Sequence, residues 1–498
     1  MPATNRRDFI KSLGILTAGA SFLQTPKAQS SQQKKPNVLF LFSDDQRFDT
    51  IGAHGNPHIK TPNLDRLVRR GTSFTRAYIM GGMNAAICCP SRAMLLTGRT
   101  LFGLPQGLTE PWKAPEPERG ISPFATFPEV FRNAGYDTFG TGKWHNGKRL
   151  FAKGFTHGEN IFFGGMSDHY KVPFHPFDPE GIYPEDMKND EPTKHSSELF
   201  TDAAVSFLES FAGSEDVGSE KKFMMYVPYT APHDPRDMPK EYLEMYDPEE
   251  IPLPPNFLPE HPFDNGELKV RDEALEKWPR TPEAIRGHIA AYYAMITHMD
   301  AQIGRVLNAL DRSGQADNTI IVFAGDNGLA VGCHGLLGKQ NLYEHSVHVP
   351  LIMSGPGIPE NESRDALCYL SDIFPTLCGL TGLTVPETVE GSSLLPVIEG
   401  ETESVRGSVF CAYKNFQRSV RTDRWKMIAY NVNGDNRVQL FDLKNDPWEM
   451  NNLAGDPDKA YLIRGLTSIM KDWIIETGDT VDFDAPGWGV NEIPKWGS

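Results

Sequence analysis

The chain has 498 residues and a formal net charge of −16 at pH 7. This length exceeds that of a single small domain, so we expect one large domain with a smaller one attached. The content of 39% hydrophobic and 23% charged residues is typical of a soluble globular enzyme, and the negative charge argues against a nucleic-acid partner, which requires a basic face.

The first 30 residues have the pattern of an export signal. Arg6 and Arg7 precede Phe9, and a short apolar stretch follows from Leu13 to Leu23. Paired arginines before such a stretch are typical of signals read by the twin-arginine (Tat) export machinery, and a disordered basic tail is the alternative. We therefore expect residues 1–30 to be removed and the protein to be exported from a bacterial cell, to the periplasm or beyond. No other segment is apolar over a length that spans a bilayer, so we expect no stable membrane span.

Four apolar runs of the β type are each followed by a polar cluster. The runs cover residues 37–42, 136–141, 223–229 and 319–323. Continuous apolar runs of this length are typical of strands buried on both faces of a parallel sheet. Helical patterns alternate with them, over about residues 61–70, 197–211 and 289–310. This alternation predicts an α/β fold with a large, mostly parallel sheet sandwiched by helices.

Two segments, 155–195 and 235–285, lack periodicity and are rich in proline, aromatic and charged residues. Loops of that length in a compact domain are commonly functional, so we expect them to shape the substrate site. After about residue 400, short alternating runs predict a small antiparallel sheet. We therefore expect a catalytic α/β domain at 36–400 and a smaller α+β subdomain at 401–498.

Acidic and amide side chains follow two of the predicted strands. Asp44 and Asp45 come directly after the first strand, and Asp326 and Asn327 come after the last. Because ligands collect at the carboxyl ends of parallel strands, we expect these side chains to converge. Oxygen donors without an accompanying His or Cys suit a hard cation, Ca²⁺ or Mg²⁺. A turn or a helix cap is the alternative for either pair.

The six cysteines match no zinc-binding spacing, and their density is too low for a disulfide framework. Cys88 and Cys89 are adjacent and precede Pro90, which suits the first turn of a helix. A helix N-terminus favours anions, and Arg92 adds a planar cation that matches an oxyanion. A buried cysteine pair at an ordinary helix start is the alternative.

Four further basic residues follow strands or lie in stiff loops. Lys143 and His145 are two residues apart after the second strand, so on an extended segment they point the same way. His233 lies in a proline-rich loop, and Lys339 lies in a glycine-rich one. A cation beside an imidazole can bind an anion and move a proton. Taken singly, each of these residues is more often solvated or structural.

Residues 88–99 resemble the signature of the type I sulfatases, Cys-x-Pro-Ser-Arg followed by Thr-Gly-Arg. The resemblance runs in order through nearly the whole mature chain. It includes Asp44-Asp45, Gly142-Lys143-Trp144-His145, Pro232-His233-Asp234-Pro235, Asp326-Asn327-Gly328, Gly338-Lys339 and, in the tail, Leu440-Phe441-Asp442-Leu443. The chain is thereby similar to the formylglycine-dependent sulfatases of the alkaline phosphatase superfamily.

The resemblance implies that Cys88 is oxidised to formylglycine (3-oxoalanine) by a separate cytoplasmic maturation enzyme, and that Cys89 is a variable position. The hydrated aldehyde, a gem-diol, would be the nucleophile and would form a covalent sulfo-enzyme intermediate. The family's Ca²⁺ ligands would here be Asp44, Asp45, modified Cys88, Asp326 and Asn327.

The resemblance also assigns the remaining polar residues. Arg92 would steady the modified side chain, and Lys143 and Lys339 would bind sulfate oxygens. His233, with Lys339, would protonate the leaving alcohol. His145 would take the proton of the second gem-diol hydroxyl, so that sulfate is expelled.

Two residues outside the shared motifs are expected to contact the substrate. His348 stands where the family often has an arginine before Val-Pro, so we expect it to reflect substrate choice. Arg236 follows the His233 motif, and we expect it to face the pocket and bind a carboxylate if the substrate carries one.

The function implied is hydrolysis of a sulfuric ester on a poly- or oligosaccharide. One alternative is a phosphodiester or phosphonate monoester hydrolase of the same superfamily. Another is an inactive module that binds sulfated glycans, and the intact cysteine, lysines and histidines argue against it.

Overall fold

The computed structural model describes residues 35–115, 118–183, 194–213 and 221–485, together with residue 488. The predicted export signal, residues 1–30, lies outside the described residues. The chain from Lys35 onward forms one compact unit. Within it, the boundary expected near residue 400 stays a prediction.

Strands and helices alternate through the first two thirds of the described chain. The strands are β1 (Asn37–Ser43), β2 (Gly71–Phe74), β3 (Ala77–Tyr78), β4 (Gly81–Gly82), β5 (Asp137–Lys143), β6 (His157–Phe162), β7 (Phe223–Pro228), β8 (Thr319–Gly325), β9 (His348–Val349), β10 (Leu351–Ser354), β11 (Glu362–Arg364), β12 (Cys368–Tyr369), β13 (Val409–Tyr413), β14 (Gln417–Arg421), β15 (Trp425–Val432) and β16 (Asp435–Asp442). The α-helices are α1 (Pro62–Arg69), α2 (Cys88–Thr97), α3 (Gln106–Thr109), α4 (Phe127–Asn133), α5 (Lys148–Gly154), α6 (Ser196–Ala212), α7 (Lys240–Leu243), α8 (Pro282–Arg312), α9 (Glu344–Val347), α10 (Ile373–Thr381), α11 (Leu395–Ile398) and α12 (Ala460–Thr477).

The central sheet has eight strands in the order β11-β2-β10-β8-β1-β7-β5-β6. Every strand runs parallel to the others except β10, which is antiparallel to both of its neighbours. The four strands expected from the apolar runs are β1, β5, β7 and β8, and they are adjacent at its centre. The mostly parallel sheet predicted from the sequence is therefore confirmed.

The central sheet is buried on both faces because alternate residues of its strands enter two different apolar clusters. In β1, Val38, Phe40 and Phe42 belong to one cluster, while Leu39 and Leu41 belong to the other. Helices α2, α4, α5 and α10 contribute to the first cluster, and α1, α6 and α8 contribute to the second. This explains why the strands read as unbroken apolar runs.

The smaller sheet has the order β16-β15-β14-β13-β4. Strands β13 to β16 form an antiparallel meander, as the alternating runs after residue 400 predicted, and α12 packs on it through Ile463, Leu466 and Met470. Strand β4, however, comes from the segment just before α2 and pairs with β13 in parallel. Gly81 allows this approach, because a Cβ there would lie 2.1 Å from the Ala412 carbonyl oxygen.

The segment 155–195 is not wholly a loop, which corrects the sequence-based expectation. It contains β6, which pairs with β5 at the edge of the central sheet. Half of β6 is solvent-facing, so its sequence lacks the continuous apolar run by which the inner strands were recognised. None of the helices in the described part of the chain combines the length and apolarity that a bilayer span needs.

Candidate active site

The polar clusters that follow the four inner strands converge at one edge of the central sheet. The order β8-β1-β7-β5 brings together the residues after each strand, and α2 points its N-terminus at the same place. The convergence predicted from the strand-end motifs is therefore found.

Cys88 is the first residue of α2 and is only 2% exposed. Its Sγ lies 3.4 Å from Nδ1 of His145 and 3.7 Å from Nζ of Lys143. Burial raises the pKa of the Cys88 thiol, although Lys143 and Lys339 oppose the shift. The unmodified side chain is therefore a neutral thiol, which is a poor nucleophile.

Arg92, one turn further along α2, is fully buried and joins three parts of the site. Its Nε donates to Oδ2 of Asp326 at 2.9 Å, and its Nη1 donates to the carbonyl oxygen of Lys143 at 2.7 Å. Its Nη2 lies 4.0 Å from Oδ1 of Asp44. The guanidinium thus fixes the helix start against the ends of β1, β5 and β8.

Asp44 and Asp45 each meet a lysine. Nζ of Lys143 donates to Asp44 Oδ2, and Nζ of Lys339 donates to Asp45 Oδ1 at 2.6 Å. Asn327 donates to the same Asp45 oxygen at 2.7 Å. Although burial alone would raise it, these neighbouring cations hold the pKa of Asp45 well below its usual range.

Three buried oxygens of this cluster have no hydrogen-bond partner among the described residues: Asp44 Oδ1, Asp45 Oδ2 and Asn327 Oδ1. Burial, followed by the charge of Asp44, raises the pKa of Asp326 to about 7. Crowded carboxylates and unpaired oxygens are unfavourable unless a cation lies between them. Ligand atoms of Asp44, Cys88 and Asp326 lie within 4.8 Å of one another. The donor set fits a hard divalent cation.

His233 lies opposite Cys88 across the site. Its Nδ1 donates to the carbonyl oxygen of Asp234 at 2.7 Å, and its Nε2 lies 3.7 Å from Asp45 Oδ2. Burial lowers the pKa of His233, and it lowers that of His145 well below its usual range, with Lys143 and Arg92 adding to the second shift. The ring of His145 is therefore uncharged near neutral pH.

A cavity of about 320 Å³ opens above Cys88. Cys88, His145, His233 and Lys339 form its floor, so the structure brings these predicted residues together in one chamber. Its walls include residues from both segments that were predicted to be long loops, at 165–166 and 270–272.

Several wall residues were not singled out from the sequence, among them Trp112 and Arg271. The indole of Trp112 is 45% exposed and stacks on His145 with ring centroids 5.7 Å apart. Arg271 donates through both terminal nitrogens to Asp234 and also to Asp272 at 2.6 Å. Neither residue lies in a recognisable motif, and only the position of Arg271 within the 235–285 segment gave any signal.

Arg236 and His348 are not among the residues that line the cavity, and their expected contact with the substrate stays a prediction. His348 is buried in a stack between Phe48 and Tyr78, with centroid distances of 4.0 and 4.9 Å, and its Nε2 donates to Thr75. Arg236 donates to Nδ1 of His288 at 2.8 Å. Both side chains are held by the protein interior rather than presented to the cavity.

Cys89 points away from the cavity. Its Sγ donates to the carbonyl oxygen of Leu108 at 3.3 Å, and the amide of Asn146 donates to its backbone oxygen at 2.9 Å. The other cysteines, Cys333, Cys368, Cys378 and Cys411, are buried and unpaired. The two neighbouring cysteines therefore have different environments: Cys88 lines the cavity, and Cys89 packs behind it.

Comparison with known proteins gives a consistent result. A family model described as sulfatase matches residues 36–383, and one described as N-sulphoglucosamine sulphohydrolase, C-terminal, matches residues 332–475. The chain is 27% identical to the N-acetylglucosamine-6-O-sulfatase of Bacteroides thetaiotaomicron over 95% of both chains. It is 28% identical to an ulvan-active sulfatase of Formosa agariphila over 91% of this chain and 83% of the relative.

Among solved structures, one protein in complex with its substrate D-glucosamine-2-N,6-O-disulfate superimposes with a TM-score of 0.72. The two chains are 26% identical, and the alignment covers 90% of this chain and 99% of that one. The likeness therefore extends over the central sheet, the smaller sheet and the loops between them.

Proposed function

The chain belongs to the sulfatase family, and on that premise we propose that it removes sulfate from a carbohydrate by a formylglycine-dependent mechanism. The observation that carries the proposal is the position of Cys88: a cysteine at a buried helix start, facing His145 and Lys143, on the floor of an open cavity. As formylglycine, this residue would supply a hydroxyl nucleophile that a buried neutral thiol does not.

The proposed metal ligands are Asp44, Asp45, Asp326, Asn327 and the modified Cys88. The three unpaired oxygens and the raised pKa of Asp326 support a cation here. We propose Ca²⁺, with Mg²⁺ as the alternative, because the donors are oxygens. When bound, the cation would lower the energy of negative charge on the nucleophile and on a sulfate oxygen.

Lys143 and Lys339 are proposed to bind sulfate oxygens. Both ammonium groups are buried; Lys339 lines the cavity, and Nζ of Lys143 lies 3.7 Å from Cys88 Sγ. Burial opposes the shift, but the charges of Asp44 and Asp45 raise the pKa of Lys143 and Lys339, so both stay charged. An anion that enters the cavity would replace its contacts with water by contacts with these two ammonium groups. Arg92 is proposed to steady the Cys88 side chain, since its own hydrogen bonds already anchor the start of α2.

The two histidines suit opposite proton transfers. His145, whose Nδ1 faces Cys88 at 3.4 Å, is proposed to accept a proton from the modified side chain, and its lowered pKa supports a neutral, proton-accepting ring. His233, with Lys339, is proposed to protonate the departing alcohol. Because Nδ1 already donates to the carbonyl oxygen of Asp234, His233 must bind a second proton on Nε2, beside Asp45 Oδ2, to act as this acid.

The substrate is proposed to be a sulfated poly- or oligosaccharide. The relatives named for activity on N-acetylglucosamine-6-O-sulfate and on ulvan support this class. The exposed indole of Trp112 supports it too, because an aromatic face packs against the C–H groups of a sugar ring.

The test is release of inorganic sulfate from a panel of defined sulfated mono- and oligosaccharides, with matched aryl sulfate, aryl phosphodiester and aryl phosphonate esters assayed in parallel. We expect sulfate release from at least one saccharide and a preference for the aryl sulfate. Turnover of the phosphonate or the phosphodiester alone would favour the alternative hydrolase. Binding of sulfated glycans without turnover of any ester would favour a binding module.

Export and maturation complete the proposal. The paired Arg6 and Arg7 support a bacterial Tat signal, and modification of Cys88 requires a formylglycine-generating partner. We expect the protein to reach the periplasm in a Tat-competent host and to stay in the cytoplasm when both arginines are replaced by lysine. Equal export of the two forms would contradict the Tat assignment.

A further inference from the structure

His169 lies beneath the loop that carries His233. It is 1% exposed, and its Nε2 lies 2.9 Å from the carbonyl oxygen of His233. Because a carbonyl oxygen can only accept, the proton of the ring is on Nε2, which donates to it. His169 therefore holds the backbone of the proposed acid directly.

The other nitrogen of His169 is held equally firmly. Nδ1 lies 3.0 Å from the Ser196 hydroxyl at the start of α6 and 3.1 Å from the Thr230 hydroxyl just after β7. The two hydroxyls are 2.8 Å apart, so they and Nδ1 form a closed polar triangle. Burial lowers the pKa of His169 to about 4, so the ring is neutral and keeps this tautomer near neutral pH.

The hydrogen bond from His169 to His233 matters because the orientation of the His233 ring depends on the backbone at that residue. His233 spends its Nδ1 proton on the carbonyl oxygen of Asp234, one residue along the same chain. The direction of Nε2 is thus set by the peptide groups at 233 and 234. A small rotation of those groups would move Nε2 away from the cavity floor.

We propose that His169 is a positioning residue for His233, holding its backbone so that Nε2 reaches the oxygen of the departing alcohol. This rests on the proposed function, in which His233 protonates that oxygen. His169 does not line the cavity, so it acts only through His233. The loop after β6 thereby contributes to the acid step without touching the substrate.

The dependence on leaving group distinguishes this role from a purely structural one. A sugar alkoxide departs poorly and needs a proton, whereas 4-nitrophenolate departs without one. With metal-loaded, matured enzyme, His169→Leu is expected to lower kcat on a sulfated sugar by about tenfold or more, a fraction of the 10²–10⁴ that acid catalysis supplies. Its kcat on 4-nitrophenyl sulfate should fall by less than about twofold. His169→Gln, whose amide nitrogen can donate from a similar place, should recover most of the sugar turnover.

The matched control is His298→Gln. His298 is buried beside His195, with the two ring centroids 4.6 Å apart. Within the described residues it makes no hydrogen bond to the 230–235 loop. This variant should leave both activities near wild type. In a His233→Ala background, His169→Leu should have no further effect on the sugar sulfate, because coupled residues are not additive.

An equal loss on both esters in His169→Leu, or an additive loss in the His233→Ala background, would overturn the proposal. If the leucine variant is not recovered folded, Ser196→Ala combined with Thr230→Val removes both hydroxyls that hold Nδ1 and must show the same selective loss. Failure of the proposed function would appear separately, as a wild-type enzyme that releases sulfate from neither ester.

Discussion

The hydroxyl of Tyr292, in the middle of α8, lies 2.5 Å from the backbone carbonyl oxygen of Asp45 and donates to it. The same hydroxyl accepts the backbone N–H of Arg47 at 2.9 Å. Asp45 has a φ of 65°, a left-handed conformation that is unfavourable for most side chains. Tyr292 therefore closes the turn that presents a proposed metal ligand.

Tyr292→Phe should destabilise the protein and weaken metal binding together. The change leaves a buried N–H and a buried carbonyl without a partner, which costs about 1–3 kcal/mol. Urea unfolding and calcium titration would measure the two effects. Tyr293→Phe is the matched control, since within the described part of the chain its hydroxyl accepts a hydrogen bond only from the half-buried Asn56 amide. A phenylalanine variant at 292 with unchanged calcium affinity would contradict the role of the turn.

Cys88 should be formylglycine in active protein, and Cys89 should remain a thiol. Mass spectrometry of the peptide that contains both residues, after coexpression with a maturation enzyme, gives the result directly. Cys88→Ala should reduce turnover to background, whereas Cys89→Ser should keep most of it, because the Cys89 thiol contacts the backbone oxygens of Leu108 and His145 and the amide of Asn146, behind the site. Full activity with an unmodified Cys88 would refute the assignment.

Asp326→Ala should lose both bound metal and turnover. Asp326 belongs to the proposed ligand cluster and also accepts hydrogen bonds from Arg92 and from the Asp45 N–H. Its loss therefore removes a metal ligand and two hydrogen bonds that hold the site together. Elemental analysis should find calcium in the wild type and not in the variant. Added Ca²⁺ at 100 times its Kd should stabilise only the wild type, by about 2.7 kcal/mol. Asp365→Ala, at an exposed ion pair with Arg76, controls for the loss of a carboxylate. Zinc held by His145 and His233 would refute the ligand set.

The buried carboxylate of Glu449, which follows the smaller sheet, should make the free energy of unfolding depend on pH. Burial, reinforced by Glu344 and only partly offset by Lys426, raises the pKa of Glu449 from 4.5 to about 7. A raised folded-state pKa means that the folded protein binds the proton more tightly. The resulting stabilisation is complete below about pH 4.5 and is lost as the pH rises through about 7.

The free energy of unfolding of the wild type, relative to Glu449→Gln, should therefore fall between about pH 5 and pH 8. Urea unfolding at several pH values in that window would measure the difference, and a difference that rises with pH would be contrary to this account. Glu403→Gln, at an exposed position, should give curves parallel to the wild type.

The inner strands and the strand-end residues could be predicted because both follow from local patterns. A strand buried on both faces must be continuously apolar, which makes it recognisable. Neighbouring parallel strands bring their carboxyl ends together. Because the four inner strands are neighbours in the sheet, the residues that follow them meet: Asp44, Lys143, His233 and Asp326. The sequence-based expectation failed where an element is half exposed, as in β6, whose polar residues hide its strand character.

Residues on the cavity wall were harder to predict because their place depends on how long connections fold back. Trp112 and Arg271 come from such connections and carry no motif. Arg236 shows that closeness in sequence does not place a side chain in the cavity. It is three residues from His233, yet its guanidinium donates to His288. The expected role of His348 in substrate choice stays a prediction; in the structure its ring fills a stack between Phe48 and Tyr78.

The pairing of β4 with β13 has a consequence for the order of events during biosynthesis. Gly81–Gly82, a few residues before Cys88, completes its sheet only when Val409–Tyr413 has left the ribosome and folded against it. Until then the segment lacks its native partner, whereas in the finished protein Cys88 is 2% exposed. We therefore expect the proposed maturation enzyme to reach Cys88 on the nascent chain, before β4 pairs with β13 and fixes the segment that leads into α2.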